Sequence, residues 1–319
     1  LASASIALLW AGVPAVLWSS QSPQELGSCL AVVVWLILLW LNITFVQSRM
    51  KLYSIGNDLL AQVAEAAKTS AINEPLLYVN IPTWLAFKES TYVLGHEGVT
   101  FIPGYVGVQD FIYVNSRIEC TANGATFANI QKDWQYYIGH YDPQVGWEGL
   151  SEAIRTAKKV YMTDYLPDQL RLLEAGALAG DSKLEETVLA LFEDDVALVK
   201  GSLERQDNEL MVTLWWKCLR ETKEPYTVFA HIYDDEGHLV AQRDGYPLLG
   251  MFPFWLWRTG DLVRDVRPIA LPRTLPQGCY TLAVGLYDPN TGIRVKAFSS
   301  EESRYQGDSV SVLTFVRGD

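Results

Sequence analysis

The chain is poor in cysteine: the four in its 319 residues, Cys29, Cys120, Cys218 and Cys279, form no CxxC pair and share no spacing with the four histidines that would suggest a zinc site. They are also too dispersed for a disulfide framework; a single bridge between Cys218 and Cys279, in strands a sandwich could bring together, is one reading, and two ordinary buried thiols is the preferred one. Both glycine signatures of a nucleotide site, GxGxxG and GxxxxGK[ST], are missing, so no cofactor is implied. Positive charge is scarce as well, with 25 basic against 37 acidic residues and a net charge of −12, which excludes a duplex-binding surface and argues against any nucleic-acid partner. Charged residues make up only 19% of the chain and hydrophobic ones 49%, and the mean hydropathy of +0.07 averages a strongly apolar start with an acidic remainder. Eleven Trp and 16 Tyr exclude a disordered protein, and the length allows two or three domains at about 150 residues each.

Residues 28–46, SCLAVVVWLILLWLNITFV, carry no charge. At about 1.5 Å per residue these nineteen positions span roughly 28 Å as a helix, close to the hydrocarbon thickness of a bilayer. A second apolar run, residues 1–18, is interrupted by Gly12 and Pro14 and reads as the end of a further spanning helix. It lacks the Met and basic n-region of a signal peptide, and the expectation is that the chain begins inside a longer polytopic protein. Orientation signals conflict. Arg49 and Lys51 after the second helix, against Glu25 before it, place the bulk inside by the positive-inside rule, whereas the acidic, Trp- and Tyr-rich remainder points outside. An outward, extracytoplasmic placement is preferred.

After the membrane, Leu52, Ile55, Leu59, Leu60 and Val63 repeat at spacings of three and four, giving an amphipathic helix over 49–69 whose apolar face a membrane, a partner or the domain beneath could cover. Residues 70–188 then read as a small α/β domain. Strands are expected at LLYV (76–79), TYVLG (91–95), GVTFIPGY (98–105) and DFIYVN (110–115), and helices at 147–159 and again at 166–180, where Pro167 stands near the start and Gly180 at the end. His96 with Glu97, and His140 with Asp142, are the His–acid pairs here; structural hydrogen bonding is the preferred reading over a joint site.

From residue 189 to the end, strand patterns recur every ten to fifteen residues between turn clusters, the pattern of an antiparallel all-β sandwich of Ig-like or jelly-roll-like type. In ELMVTLWWKC, alternation puts Leu210, Val212, Leu214, Trp216 and Cys218 on one face and Met211, Thr213, Trp215 and Lys217 on the other. DDEG (234–237) and DPNTG (288–292) are hairpin turns; calcium at Asp234, Asp235 and Glu236 is the sharper, less favoured reading of the first. The connection DGYPLLGMFPFWLWRTGD (244–261) concentrates aromatic rings. Asp244, Tyr246, Phe254, Trp255, Trp257 and Arg258 are the candidate ligand contacts, for sugar or protein, because rings stack on pyranose C–H faces while charged groups bond hydroxyls. The competing and favoured reading folds this loop back as a cap on the β-domain.

The segments VFAHIYDDEG, the aromatic loop closing on WRTGD, and LPQGCYTLAVGLYDPNTG, with LLYVNIPTWL and GHEGVTFIPGY upstream, resemble the extracytoplasmic C-terminal domain that follows the last membrane helices of bacterial GT-C glycosyltransferases. These are relatives of protein mannosyltransferases and are common in Chloroflexota-like bacteria. The likeness covers most of residues 76–300. It implies a membrane-anchored portion of a lipid-linked-sugar-dependent transferase in the cell membrane, with the bilayer, a lipid-linked sugar or glycan, and other membrane-protein subunits as partners. The acidic residue such enzymes use lies in a first extracytoplasmic loop that has no counterpart here, so the resemblance assigns this chain no catalytic residue. The alternative is an accessory subunit of a larger membrane complex without transferase activity.

Overall fold

A computed structural model describes residues 25–70, 74–89, 98–104, 106–127, 135–140, 142–179, 188–206, 208–298 and 305–317. The apolar run at 1–18, the expected strand at 91–95 and the pair His96 and Glu97 lie outside them.

The expected spanning and amphipathic segments form one uninterrupted helix, α1 (Glu25–Lys68), about 66 Å long. Its two halves behave differently because their side chains do. Val32 to Val46 is an exposed apolar surface, and this is the one helix among the described residues long and apolar enough to cross a membrane. Past Met50 the heptad-like stripe turns inward: Leu52, Ile55, Leu59, Leu60 and Val63 are all buried, so the globular part covers the face whose cover was left open.

The remaining elements follow in order as β1 (Leu76–Val79), β2 (Trp84–Phe87), β3 (Val99–Thr100), α2 (Val108–Ser116), β4 (Ala122–Ala125), β5 (Tyr136–Gly139), α3 (Trp147–Thr156), β6 (Lys159–Tyr165), β7 (Leu170–Ala179) and β8 (Ala190–Phe192). Then come β9 (Val196–Gln206), β10 (Glu209–Cys218), β11 (Thr227–Tyr233), β12 (Leu239–Gln242), a 3-10 turn (Phe254–Leu256), β13 (Leu262–Ala270), β14 (Gly278–Tyr287), β15 (Ala297–Phe298), β16 (Tyr305–Gly307) and β17 (Val310–Arg317). The chain is thus mostly β after its first helix. A ten-stranded mixed sheet runs β16-β15-β8-β9-β10-β13-β7-β6-β1-β4, parallel only where β1 meets β4 and β6. A four-stranded antiparallel sheet, β12-β11-β14-β17, shares its core with the large one: Leu214 and Trp216 of β10 join Val228, Ile232, Leu282 and Val284 in a single apolar cluster. A three-stranded sheet, β3-β2-β5, packs on Leu52, Ile55 and Leu59 of α1. Among the described residues none of the three sheets closes into a barrel, and the ten-stranded sheet carries strands from both sides of residue 188 because β7 hydrogen-bonds to β13.

The strand expected at 98–105 shrinks to β3, Val99–Thr100, and two expected elements change type. DFIYVN is helical, not a strand: Val108, Phe111 and Ile112 of α2 are buried at helical spacing, and Asn115 and Ser116 donate back to the carbonyls of Phe111 and Ile112. The described part of the expected helix, residues 166–179, is not helical. Leu166 N–H donates to the Gln169 carbonyl across a tight turn at Pro167, and β7 then runs between β6 and β13, where strand pairing on both edges overrides a helix-favouring composition. Gly176 makes the three-strand junction achievable. It stands opposite Val160 at a bulge and opposite Asp265, with φ +127°, and a Cβ there would lie 1.8 Å from the Arg264 carbonyl oxygen.

Candidate functional site

The aromatic connection folds inward. Pro253 starts the 3-10 turn, which swings Phe254 between Trp216 (6.1 Å between ring centroids) and Trp257 (4.5 Å). Trp257 is buried, stacks on Phe252, and donates its indole N–H to the Phe252 carbonyl (2.9 Å). Phe254 and Trp257 are therefore core side chains. Arg258 lies at the surface and pairs with Glu152 of α3. The loop is fastened to α3 by Arg155, whose guanidinium grips both oxygens of Asp261 (2.9 and 2.8 Å) and donates to the Leu256 carbonyl (2.8 Å), with little of either charged group exposed. Trp255 is half-buried, edge-on to both Trp147 (5.7 Å) and Tyr246 (5.1 Å).

Of the six sequence candidates, Asp244 and Tyr246 line a common cleft, and Trp255 supports it from behind Tyr246. The cleft encloses about 370 Å³ between the start of α3, the end of β6 and the loop after β12. Its other principal walls are Trp147, Asp164, Arg243 and Arg267, none of which stood out in the sequence. One signal was legible for Arg267: Asp265 and Arg267 share the strand face of Val263 and Ile269, so a charged pair stands on the core-facing side of β13.

That pair is the organising feature beneath the cleft. Arg267 Nε lies 2.5 Å from Asp265 Oδ2, with both side chains almost fully buried. The other Asp265 oxygen accepts the Leu248 N–H (2.8 Å), and Arg267 Nη2 donates to the Gly245 carbonyl (3.0 Å). Burial pushes the Asp265 carboxyl up against the opposing pull of the guanidinium. The loop held this way is unusual: Gly245 (φ 150°), Leu248 (54°), Leu249 (56°) and Gly250 (94°) all lie at positive φ, where two consecutive leucines are costly by about 1–3 kcal/mol each. At the rim, Asp244 Oδ1 is 3.1 Å from His231 Nε2, and His231 Nδ1 is 3.2 Å from the Tyr233 hydroxyl. Asp164 is 3.3 Å from Arg171, which also binds Glu209 (2.6 Å).

A second, wider groove of about 710 Å³ separates α1 from the outer face of the large sheet, bordered by Gln62, Glu65, Glu174, Glu204, Arg171 and Arg264. Its arginines are committed to Glu209 and Glu174.

The remaining candidates resolve into structural roles. Asp234 accepts N–H bonds from Glu236 (3.1 Å) and His238 (2.7 Å) and so caps its hairpin, and these donors hold its carboxyl below the ordinary range. Among the described residues no group of three or more His, Cys, Asp or Glu could hold a metal. His140 Nδ1 meets the Ile81 carbonyl (3.0 Å) while Asp142 packs on Gly124; burial pushes the imidazole down and the carboxyl up. The alternative of a bridge between Cys218 and Cys279 is not realised: both are free thiols, and of the two only Cys218 is buried, as the preferred reading expects. Cys218 points into the core from β10, where burial pushes its thiol up to about 11, while Cys279 alternates with the buried Tyr280 and so faces outward from β14. Side chains directed to the core of one sheet and to the solvent face of the other cannot meet.

No protein-family model matches the chain, and no curated protein matches it. Solved structures with partial likeness include a β-glucuronidase of glycoside hydrolase family 2 (10% identity, TM-score 0.23, covering 33% of this chain and 11% of that one). Another is the Ruminococcus gnavus β-glucuronidase in complex with uronic isofagomine (12% identity, TM-score 0.17, covering 44% and 21%). The chain spans only those minor shares of their lengths, and at these TM-scores neither defines a shared fold.

Proposed function

We propose that the chain is the membrane-anchored, noncatalytic part of a GT-C-like glycosyltransferase, with a β-rich extracytoplasmic domain that positions acceptor or lipid-linked donor above the bilayer. One observation carries the anchoring: the exposed apolar half of α1 continues without a break into the half buried in the globular core. Such a helix is both span and pillar, and it holds the domain at a set height without a flexible linker. The outward placement gains support from the basic residues that oppose it. Lys51 pairs with Asp168 (2.6 Å) and Arg49 lies over the Phe45 ring (5.3 Å), so both have structural roles that account for their presence independently of topology. The link to a transferase rests on the sequence resemblance.

The exposed Cys279 makes the test direct. With Cys29 and Cys120 replaced by Ser, a membrane-impermeant maleimide should label Cys279 in intact cells. Labelling only after permeabilisation would overturn the outward placement. An intact mass of the native protein far above 35.8 kDa is expected for the transferase reading, and a native mass equal to it removes that reading.

A further inference from the structure

We propose that the cleft between α3, β6 and the loop after β12 binds one uncharged saccharide ring, an inference that deepens the reading above and rests on it for its setting.

Three features converge on this site. First, it is built at a cost. Two leucines at positive φ and an ion pair withdrawn from water are each unfavourable by themselves, and both serve to hold the 245–250 backbone along one wall of the cleft. Preorganisation of that kind is characteristic of sites that must present a fixed set of polar groups. Second, the charges cancel. Among the lining residues, Asp164 and Asp244 are balanced in number by Arg243 and Arg267, so the cavity offers carboxylate acceptors and guanidinium donors without a net field for an ion. Paired acceptors and donors at fixed spacing suit vicinal hydroxyls, each of which both donates and accepts. Third, Trp147 and Tyr246 contribute ring surface to the walls, and Trp255 touches both rings edge-on, restricting their motion. Aromatic faces carry negative charge density that attracts the C–H face of a pyranose. The enclosed volume, about 370 Å³, lies at the small end of ligand clefts and suits one ring rather than an oligosaccharide.

Saturation-transfer NMR on the full chain in detergent micelles tests this with methyl α-D-mannopyranoside, methyl β-D-glucopyranoside and methyl β-D-galactopyranoside, and with glucuronate and inorganic phosphate as charged probes. At least one neutral glycoside should show transfer to its ring C–H protons. Its affinity should fall roughly tenfold in Asp244→Asn and in Arg243→Ala, and stay unchanged in Glu152→Gln, which alters the surface ion pair outside the cleft. Unchanged melting temperatures would confirm that these variants fold. Absence of transfer from every neutral glycoside up to about 50 mM, equal affinity in all variants, or binding of the charged probes alone would each overturn the proposal. Absent binding together with outward labelling of Cys279 would remove the saccharide site and leave the outward placement intact, whereas binding with inward labelling would keep the site and remove the outward placement.

Discussion

Trp216→Ala should lower the stability of the globular part by about 3–5 kcal/mol. Trp216 is fully buried near the end of β10, with Phe192 and Phe254 at 5.7 and 6.1 Å, so the rings around it belong to the large sheet and to the folded-back loop. An indole buries about 200 Å² of largely apolar surface, which at roughly 25 cal/mol per Å² gives about 5 kcal/mol. Compactness of the unfolded chain trims that value, and the cavity left by alanine restores part of it. Lys217 is the built-in control, one residue along the same strand and directed to the opposite face, half-exposed; Lys217→Ala should change stability by no more than about 0.5 kcal/mol. Urea unfolding of the detergent-solubilised protein, followed by far-ultraviolet circular dichroism, gives both values from midpoints at constant slope. Equal losses at 216 and 217, or a loss under about 1 kcal/mol at 216, would refute the assignment of faces and the packing of the aromatic loop on it.

Other perturbations probe other links. Leu36→Arg, in the exposed apolar half of α1, should cost about 2.5–3.5 kcal/mol of insertion free energy, read as reduced resistance of the protein to alkaline carbonate extraction; undiminished membrane retention counts against a span centred there. Gly176→Ala should prevent folding or cost more than about 3 kcal/mol, because its Cβ collides with the Arg264 backbone, whereas Gly237→Ala, also at positive φ but facing open space, should cost about 1 kcal/mol; thermal melts showing the reverse order would contradict the strand junction. His140 is held below its ordinary value of 6.5 by burial, so the folded state binds fewer protons than the unfolded one just below that pH. Stability should then be fully present above pH 6.5 and fall on acidification through the window beneath it, and His140→Asn should flatten that slope in urea midpoints measured against pH.

The legible parts of this protein were those where a local period meets a single environment. The uncharged run at 28–46 lies within α1, and the stripe from Leu52 to Val63 and the alternation from Glu209 to Cys218 announce which side chains leave water, as α1 and β10 show. The state of Cys279 was decided by the fold: only the burial of Tyr280 shows that alternation along β14 turns Cys279 outward. Composition misled at 110–115, where β-branched and aromatic residues form a short helix, and at 166–180, where helix formers became a strand. In both, pairing and packing with residues distant in sequence outweighed propensities of a few tenths of a kcal/mol per residue. The candidate site divides the same way. The sequence by itself determined that 244–261 would be rich in rings and charges, and that membrane-length and β-rich segments would follow one another. Only the tertiary structure decided which of those rings are core and which line a cleft, because Trp147, Asp164 and Arg267 come from three elements that meet through the pairing of β7 with β6 and β13. Such a meeting depends on long-range hydrogen-bond register, and no local period encodes it.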